Sequence, residues 1–187
     1  MFQVRFHGRG GQGVVTAAEL LSVAAFLEGK YAQAFPSFGS ERMGAPVVSF
    51  CRIDDRDIRL REPVTEPDAI VVQDATLLRA VPVFEGCKRK GYIVLNSTDT
   101  VDELFSTSSL RDVPAGHVVC LAASELAREH VGRSLPNVPL LGALAALTKV
   151  VRIESLAAAL RDRFPSAVAE RNIAAARAGH DAVAATV

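Results

Sequence analysis

Short apolar runs of strand length alternate along the chain with longer segments that have a helical pattern. The strand-like runs cover residues 2–6, 31–35, 69–72, 92–95 and 117–121, and the helical patterns between them cover 13–28, 77–84 and 124–131. After Pro139 the pattern is helical throughout, over residues 140–151, 154–164 and 167–178, with Pro165 suited to the first turn of the last helix. Strands that alternate with helices predict an α/β fold with a mostly parallel sheet.

An antiparallel hairpin is expected to interrupt this alternation. Residues 47–53 and 57–61 each have strand character, and the polar residues Asp54, Asp55 and Arg56 between them are typical of a turn. The sequence shows no internal repeat, low-complexity linker or domain boundary, so residues 1–187 are predicted to form one domain. The predicted fold is a three-layer α/β domain, with a mostly parallel sheet, an inserted antiparallel hairpin and a helical C-terminal region.

Charge and composition exclude several classes of partner. Lys+Arg and Asp+Glu both number 21, which argues against nucleic acid because phosphate recognition requires a basic excess. The N-terminus lacks the apolar core of a signal peptide, and no apolar stretch is long enough to span a membrane. Cys51, Cys87 and Cys120 are far apart and odd in number, so reduced thiols and a cytoplasmic location are expected, with no membrane partner.

A glycine-rich loop follows the first predicted strand and matches the pattern G-x-G-x-x-G. It consists of Gly8, Arg9, Gly10, Gly11, Gln12 and Gly13. A dinucleotide site would also require an acidic residue about 20 positions further on, where this chain has Gln33 to Pro36, and the Lys of a phosphate-binding P-loop is also absent. Three interpretations stay open: an autonomous NAD or FAD site, a purely structural turn, or a loop that meets a phosphate-bearing ligand or a partner subunit. Arg9 and Gln12 favour the last, because a structural turn requires neither side chain.

A second loop, between residues 36 and 46, combines glycines with charged and bulky apolar side chains. Its candidate interaction residues are Ser37, Phe38, Gly39, Ser40, Glu41, Arg42 and Met43. Phe38 and Met43 are either core side chains or an apolar contact surface, and Arg42 is suited to a carboxylate or phosphate. Further polar side chains follow predicted parallel strands, where functional groups of α/β sheets gather: Asp74, Asn96 and Ser97.

The sequence contains no motif for a metal site or for covalent catalysis. The four histidines do not pair at metal-ligand spacing with each other or with a cysteine, and no C-x-x-C motif occurs. The serines lack the context of a nucleophile elbow. We therefore predict no metal site and no catalytic residue in this chain.

Several segments together resemble the gamma subunit of the pyruvate:ferredoxin (2-oxoacid:acceptor) oxidoreductase family. They are GRGGQGVVTAAELL, YAQAFPSFGSERMGAPVVSFCRI, IVVQDATLL, residues 137–143 and residues 170–172. The resemblance extends over almost the whole chain, and the long second segment is more specific than the glycine loop.

The resemblance implies a function within a larger complex. Enzymes of this family convert a 2-oxoacid to acyl-CoA and CO2, with thiamine diphosphate and Mg between alpha and beta subunits and iron–sulfur clusters in beta and ferredoxin-like delta subunits. The gamma subunit is associated with coenzyme A binding and access to the active site. This chain is then expected to bind no cofactor alone and to be inactive alone, with Arg9 and Arg42 as candidate contacts to the phosphates of coenzyme A.

The resemblance leaves the substrate and the acceptor open. The 2-oxoacid could be pyruvate, 2-oxoglutarate, a branched-chain oxoacid, or an aryl oxoacid such as phenylglyoxylate. Electrons would go to ferredoxin or, through an added flavin subunit, to NAD. Two alternative functions are a free-standing Rossmann-type NAD or FAD oxidoreductase and a scaffold subunit that binds no ligand.

Overall fold

The computed structural model describes residues 1–37, 43–105 and 113–185. The strands are β1 (Phe2–Arg9), β2 (Tyr31–Pro36), β3 (Pro46–Asp54), β4 (Ala69–Val72), β5 (Tyr92–Asn96) and β6 (Val118–Leu121). The helices are α1 (Val14–Leu27), α2 (Val101–Phe105), α3 (Ala123–Val131), α4 (Asn137–Thr148), α5 (Ile153–Arg163) and α6 (Ser166–Ala184). Short 3-10 turns cover Ala75–Arg79 and Ala115–His117.

The six strands form one mixed sheet in the order β2-β3-β1-β4-β5-β6. Strands β1, β4, β5 and β6 are parallel neighbours, whereas β3 runs antiparallel to both β1 and β2. A mostly parallel sheet with an antiparallel insertion and C-terminal helices confirms the predicted fold class.

The predicted second strand of the hairpin, over residues 57–61, is wrong. Strand β3 is hydrogen-bonded on one side to β1, with Phe2 opposite Ile53, and on the other to β2, with Tyr31 opposite Asp54. Because both edges of β3 are thereby paired, residues 57–61 cannot form the predicted hairpin with it. Part of this segment is held by a side chain instead, since the Arg52 guanidinium donates hydrogen bonds to the carbonyls of Leu60 and Glu62.

One face of the sheet is covered by helices α1, α4, α5 and α6 and carries the main hydrophobic core. Helix α1 is apolar on nearly every side and buries seven residues, while residues 137–147 of α4 are all buried. Helices α4 and α6 pack so closely that a Cβ at Gly142 would lie 1.9 Å from the Ala176 carbonyl oxygen. None of the helices in the described ranges has the length and hydropathy needed to cross a membrane.

The opposite face of the sheet is covered mainly by irregular segments, with the 3-10 turn Ala75–Arg79 and the short helix α2. A smaller core forms there from Ile70, Val72, Leu77, Val83 and Leu95. The helix predicted over residues 77–84 is wrong in type and extent, since only the 3-10 turn Ala75–Arg79 forms. Pro82 gives the physical reason, because proline has no N–H and its ring clashes with the preceding helical turn.

Candidate functional site

Strand β1 extends through the first part of the glycine loop. Gly8 and Arg9 pair with Val47 and Pro46 of β3, so only residues 10–13 turn the chain into α1. The sequence-based expectation ended this strand at residue 6. Extension of the strand holds the backbone of Arg9 in the sheet, which limits where its side chain can reach.

Two glycines of this loop have backbone conformations that L-amino acids rarely adopt. Gly11 has φ 92° and Gly13 has φ 72°, both in the left-handed region. Asn137, the first residue of α4, donates a 3.3 Å hydrogen bond to the carbonyl of Gly13, and a Cβ on Gly13 would lie 2.5 Å from the Asn137 Nδ2 atom. The turn therefore needs glycine at position 13, as the structural interpretation of the motif requires.

Gly8 is required by packing rather than by conformation. A Cβ at this position would lie 2.6 Å from Val14 Cγ2 and 3.2 Å from the Cβ of the buried Gln73. This contact joins β1, the start of α1 and the end of β4, so the motif's first glycine serves close packing of helix and sheet.

The polar side chains of the glycine loop converge on Asp74, which follows β4. Arg9 Nε and Gln12 Nε2 each donate to Asp74 Oδ2 at 3.1 Å, and Gln12 Oε1 accepts a 2.8 Å hydrogen bond from the Arg9 backbone amide. Arg9 also donates to the Gly44 carbonyl at 3.0 Å and to Thr76 Oγ1 at 2.7 Å. The structure thus brings together three predicted site residues and ties them to the end of the second loop.

Burial of Asp74 by itself would raise the pKa of its carboxyl group. Hydrogen bonds from the hydroxyl and amide of Thr76 and from Gln12, together with the charge of Arg9, outweigh this effect and lower the pKa below its usual value. Asp74 is therefore ionised at neutral pH and acts as an acceptor that orients Arg9. Thr76 was not predicted, although an Asp two residues before a Thr at a helical turn is a recognisable capping signal.

The second loop meets the glycine loop at its C-terminal end. The Gly10 amide donates to the Ala45 carbonyl at 2.9 Å, and the Gly44 amide donates to the Gly10 carbonyl at 3.2 Å. Met43 is 87% exposed, and its thioether lies beside Gly11. Ser37 is exposed at the other end of the loop, while predicted residues Phe38, Gly39, Ser40, Glu41 and Arg42 lie outside the described residues.

A small cleft of about 320 Å³ lies beside the glycine loop. Its lining residues are Arg9, Gly10, Gly11, Gly13, Val14, Val15, Thr16 and Val47. Helix α1 begins here without a side-chain cap and without an acidic residue in its first turn. The first amides of a helix have no acceptor within the helix, and its N-terminus carries a partial positive charge. The cleft therefore offers hydrogen-bond donors of the kind that bind an anionic group.

Asn96 and Ser97 have structural partners instead. Asn96 Nδ2 donates to the Gln73 carbonyl at 2.9 Å and to Ser124 Oγ at 2.8 Å, while its Oδ1 accepts from the Ser124 amide. Ser97 Oγ accepts from the Asp99 amide in a local turn. Among the described residues neither side chain hydrogen-bonds to Asp74 or to the glycine loop. Asn96 instead fixes the start of α3, and Ser97 fixes the turn that follows β5.

No group of three or more His, Cys, Asp or Glu side chains within residues 1–37, 43–105 and 113–185 is arranged to hold a metal ion. The three cysteines are free thiols, and burial raises the pKa of all three, that of Cys120 to about 11. A raised pKa disfavours the nucleophilic thiolate at neutral pH.

The model of the pyruvate ferredoxin/flavodoxin oxidoreductase family matches residues 3–182. The chain belongs to this family. Its resemblance to the gamma subunit is confirmed by a relative from Thermococcus litoralis, the common subunit gamma of pyruvate/ketoisovalerate oxidoreductases. That protein is 46% identical over 95% of this chain and 94% of its own length.

Two solved structures extend the comparison. The pyruvate oxidoreductase subunit PORC from Thermotoga maritima is 35% identical and superposes with a TM-score of 0.84, covering 96% of this chain and 95% of that one. The 2-oxoglutarate:ferredoxin oxidoreductase from Magnetococcus marinus has a TM-score of 0.78 over all of this chain but only 31% of its own. At 19% identity the latter likeness concerns the fold alone.

Proposed function

We propose that this chain is the gamma subunit of a 2-oxoacid:acceptor oxidoreductase complex and that its glycine-loop cleft receives a phosphate group of coenzyme A. The Thermococcus relative is a subunit common to enzymes for pyruvate and for ketoisovalerate. A subunit shared by enzymes for two different oxoacids is suited to a ligand that both reactions use, rather than to the side chain that distinguishes the substrates. Coenzyme A is such a ligand, and the Magnetococcus enzyme that contains this fold has been solved with it bound.

The observation that carries the proposal is the position of Arg9 beside the uncapped start of α1. Asp74, Thr76 and Gly44 accept from three of the five guanidinium N–H groups, and the other two have no acceptor among the described residues. The Arg9 side chain is 29% exposed, so it is held in place yet accessible. An anion in the cleft would accept from Arg9 and from the first amides of α1 together. Asp74 offsets part of the arginine charge, so the cleft contributes oriented donors more than net charge.

In this proposal the electron-transfer and carbanion chemistry belongs to the partner subunits. Thiamine diphosphate with Mg would lie between the alpha and beta subunits, and iron–sulfur clusters in the beta and delta subunits would carry electrons to the acceptor, ferredoxin or NAD. This chain supplies no ligand to those groups. Its tasks are to bind coenzyme A, to control its access and to complete the assembly, so it has no activity by itself.

The sheet topology disfavours the alternative of an autonomous dinucleotide site. In a Rossmann fold the second strand lies next to the first and places an acid on the ribose. Here β2 lies at the edge of the sheet in the described part of the chain, and β3 separates it from β1. The end of β2 therefore lies two strands away from the glycine loop and carries no acid in residues 33–36.

Replacement of Arg9 by alanine in the assembled complex tests the coenzyme A assignment. Loss of a hydrogen bond to a charged group should raise the KM for coenzyme A about tenfold or more. Release of labelled CO2 from the 2-oxoacid in a single turnover without coenzyme A should stay unchanged. Arg42→Ala is expected to act in the same direction.

Arg59→Ala is the matched control, because the Arg59 side chain is 89% exposed and pairs only with its neighbour Asp57 among the described residues. An unchanged KM for coenzyme A in an assembled Arg9→Ala complex would refute the coenzyme A assignment and favour the scaffold interpretation. Activity of the purified chain without partner subunits would contradict the assignment as a gamma subunit.

A further inference from the structure

A larger cavity of about 650 Å³ lies on the sheet face opposite α1. We call it the sheet-face cavity. Its floor is formed by side chains of β1 and β3, among them Arg5, His7, Val48 and Phe50, and its walls come from residues 64–66 and from residues between 77 and 86. Of its lining residues only Val47 also borders the glycine-loop cleft. Its volume is within the usual range for small-molecule sites.

The floor holds a buried cation that forms no ion pair with a described carboxylate, although the charge of Glu85, which borders the cavity, favours its charged form. Arg5 is only 9% exposed, and no carboxylate among the described residues lies within ion-pair distance of it. Its Nη1 donates to the Val64 carbonyl, its Nη2 to the carbonyls of Val83 and Glu85, and its Nε to His7. These bonds use four of its five N–H groups. A buried charge is costly unless an opposite charge or further hydrogen bonds compensate it.

His7 lies beside Arg5 and supplies a second donor. Its Nε2 accepts the 3.0 Å hydrogen bond from Arg5 Nε, so the proton of the neutral ring must be on Nδ1. Burial, aided by the neighbouring charge of Arg5, lowers the pKa of His7 to about 4, which keeps the ring neutral at physiological pH. The ring is 7% exposed and borders the cavity, and the described residues provide no acceptor for its Nδ1–H. The floor therefore has two unused donors, which point in different directions, next to a buried positive charge that forms no ion pair with a described carboxylate.

The residues of the cavity walls determine which kind of ligand body fits beside Arg5. Val48, Phe50, Val64, Leu77 and Val81 make most of the lining apolar. Glu66 and Glu85 also border the cavity, but both are exposed residues, so water screens their charges far more than that of the buried Arg5. A ligand with one acidic head and an apolar body matches this distribution.

We propose that the sheet-face cavity binds a small organic monocarboxylate, with the carboxylate beside the Arg5 guanidinium and the apolar body along Val48, Phe50 and Leu77. A carboxylate oxygen would accept from the free N–H of Arg5 Nη1, which supplies the buried guanidinium with a directly paired counter-ion. This site is separate from the glycine-loop cleft and does not depend on the coenzyme A assignment.

Calorimetric titration of the full chain with three probes of equal length tests the charge requirement. Hexanoate should bind with a Kd of about 1 mM or tighter. Hexanamide should bind at least about tenfold more weakly, and hexylamine should not bind, because the guanidinium attracts the anion and repels the cation. Equal binding of the three probes, or no heat with hexanoate at about 10 mM, would overturn the proposal.

Two further measurements locate the site. Val48→Phe should fill the cavity and weaken hexanoate binding at least about tenfold, whereas Val168→Phe, at a 42% exposed position of α6, should leave it unchanged. In the unmodified chain, hexanoate should shift the ring resonances of His7 and not those of His180, which contacts Asp181 on α6. Shifts confined to the amides of Gly11 and Gly13 would place the ligand in the glycine-loop cleft and refute the assignment to the sheet-face cavity.

Discussion

Replacement of Gly13 by alanine combines two separable costs at the start of α1. The residue has φ 72°, a conformation that is unfavourable for any side chain with a Cβ. The added Cβ would also lie 2.5 Å from Asn137 Nδ2, which has to move and lose its hydrogen bond to the Gly13 carbonyl. Asn137 is only 8% exposed, so its displaced amide would not be fully hydrated.

The two costs can be estimated separately. The left-handed conformation costs alanine about 1 to 2 kcal/mol relative to glycine. Displacement of a buried amide from its acceptor adds about 1 kcal/mol or more. Gly13→Ala should therefore lower the free energy of unfolding by about 3 kcal/mol. Gly132→Ala is the matched control, since Gly132 has φ 80° and its Cβ would meet no atom within 4 Å. Gly132→Ala should lower the free energy of unfolding only by the cost of the left-handed conformation.

Urea unfolding of the full chain, followed by circular dichroism, measures both variants, and a double-mutant cycle with Asn137→Ala isolates the contact. In the Asn137→Ala background, Gly13→Ala should cost no more than Gly132→Ala does in the unmodified chain. The reasoning is refuted if Gly13→Ala and Gly132→Ala are equally destabilising, or if removal of the Asn137 side chain leaves the cost of Gly13→Ala unchanged.

Two further predictions concern the helix layer and the buried histidine. Gly142→Ala should destabilise the chain by about 3 kcal/mol or more, because its Cβ would meet the backbone carbonyl of Ala176 on α6, which cannot rotate away; a loss below about 1 kcal/mol in urea unfolding would contradict this packing. His7 has a pKa of about 4 in the folded chain, against a reference value of 6.5. Its neutral ring therefore contributes fully to the free energy of unfolding above about pH 6.5, and this contribution is lost as the pH falls towards 4. The free energy of unfolding measured across this pH range should fall by up to about 3 kcal/mol. The fall should be smaller in a His7→Asn variant. An NMR titration that places the pKa of His7 above about 6 would exclude the mechanism.

The secondary structure followed closely from local sequence in continuous apolar segments of clear length. The strand predicted at residues 69–72 is β4, Ala69–Val72, and the helix predicted at 13–28 is α1, Val14–Leu27. Both segments are apolar at nearly every position, so their length distinguishes the strand from the helix, and Gly29 follows the helix with a left-handed conformation. One error occurred where local pattern and tertiary pairing disagree: residues 57–61 alternate like a strand, but both edges of β3, their expected partner, are occupied by β1 and β2.

The candidate site could be predicted only in part from the sequence. Arg9, Gln12 and Asp74 were recognisable as polar residues at strand ends, but their mutual hydrogen bonds join positions up to 65 residues apart. Asn137 is 124 residues from Gly13, and no local signal connects the two. Their contacts depend on the strand order of the sheet and on the packing of α4 beside α1, both of which are non-local.

The sequence by itself determined the fold class, the family and most element boundaries, because apolar period, glycine and proline positions and the long similar segments are local properties of the chain. The tertiary structure decided the rest. Insertion of β3 between β2 and β1 separated the glycine loop from the end of β2, and the same pairing placed Phe50 and Val48 beside Arg5 and His7. Alternate side chains of a strand point to opposite faces, so Arg5 and His7 form a buried polar floor only because the helices cover the other face of β1.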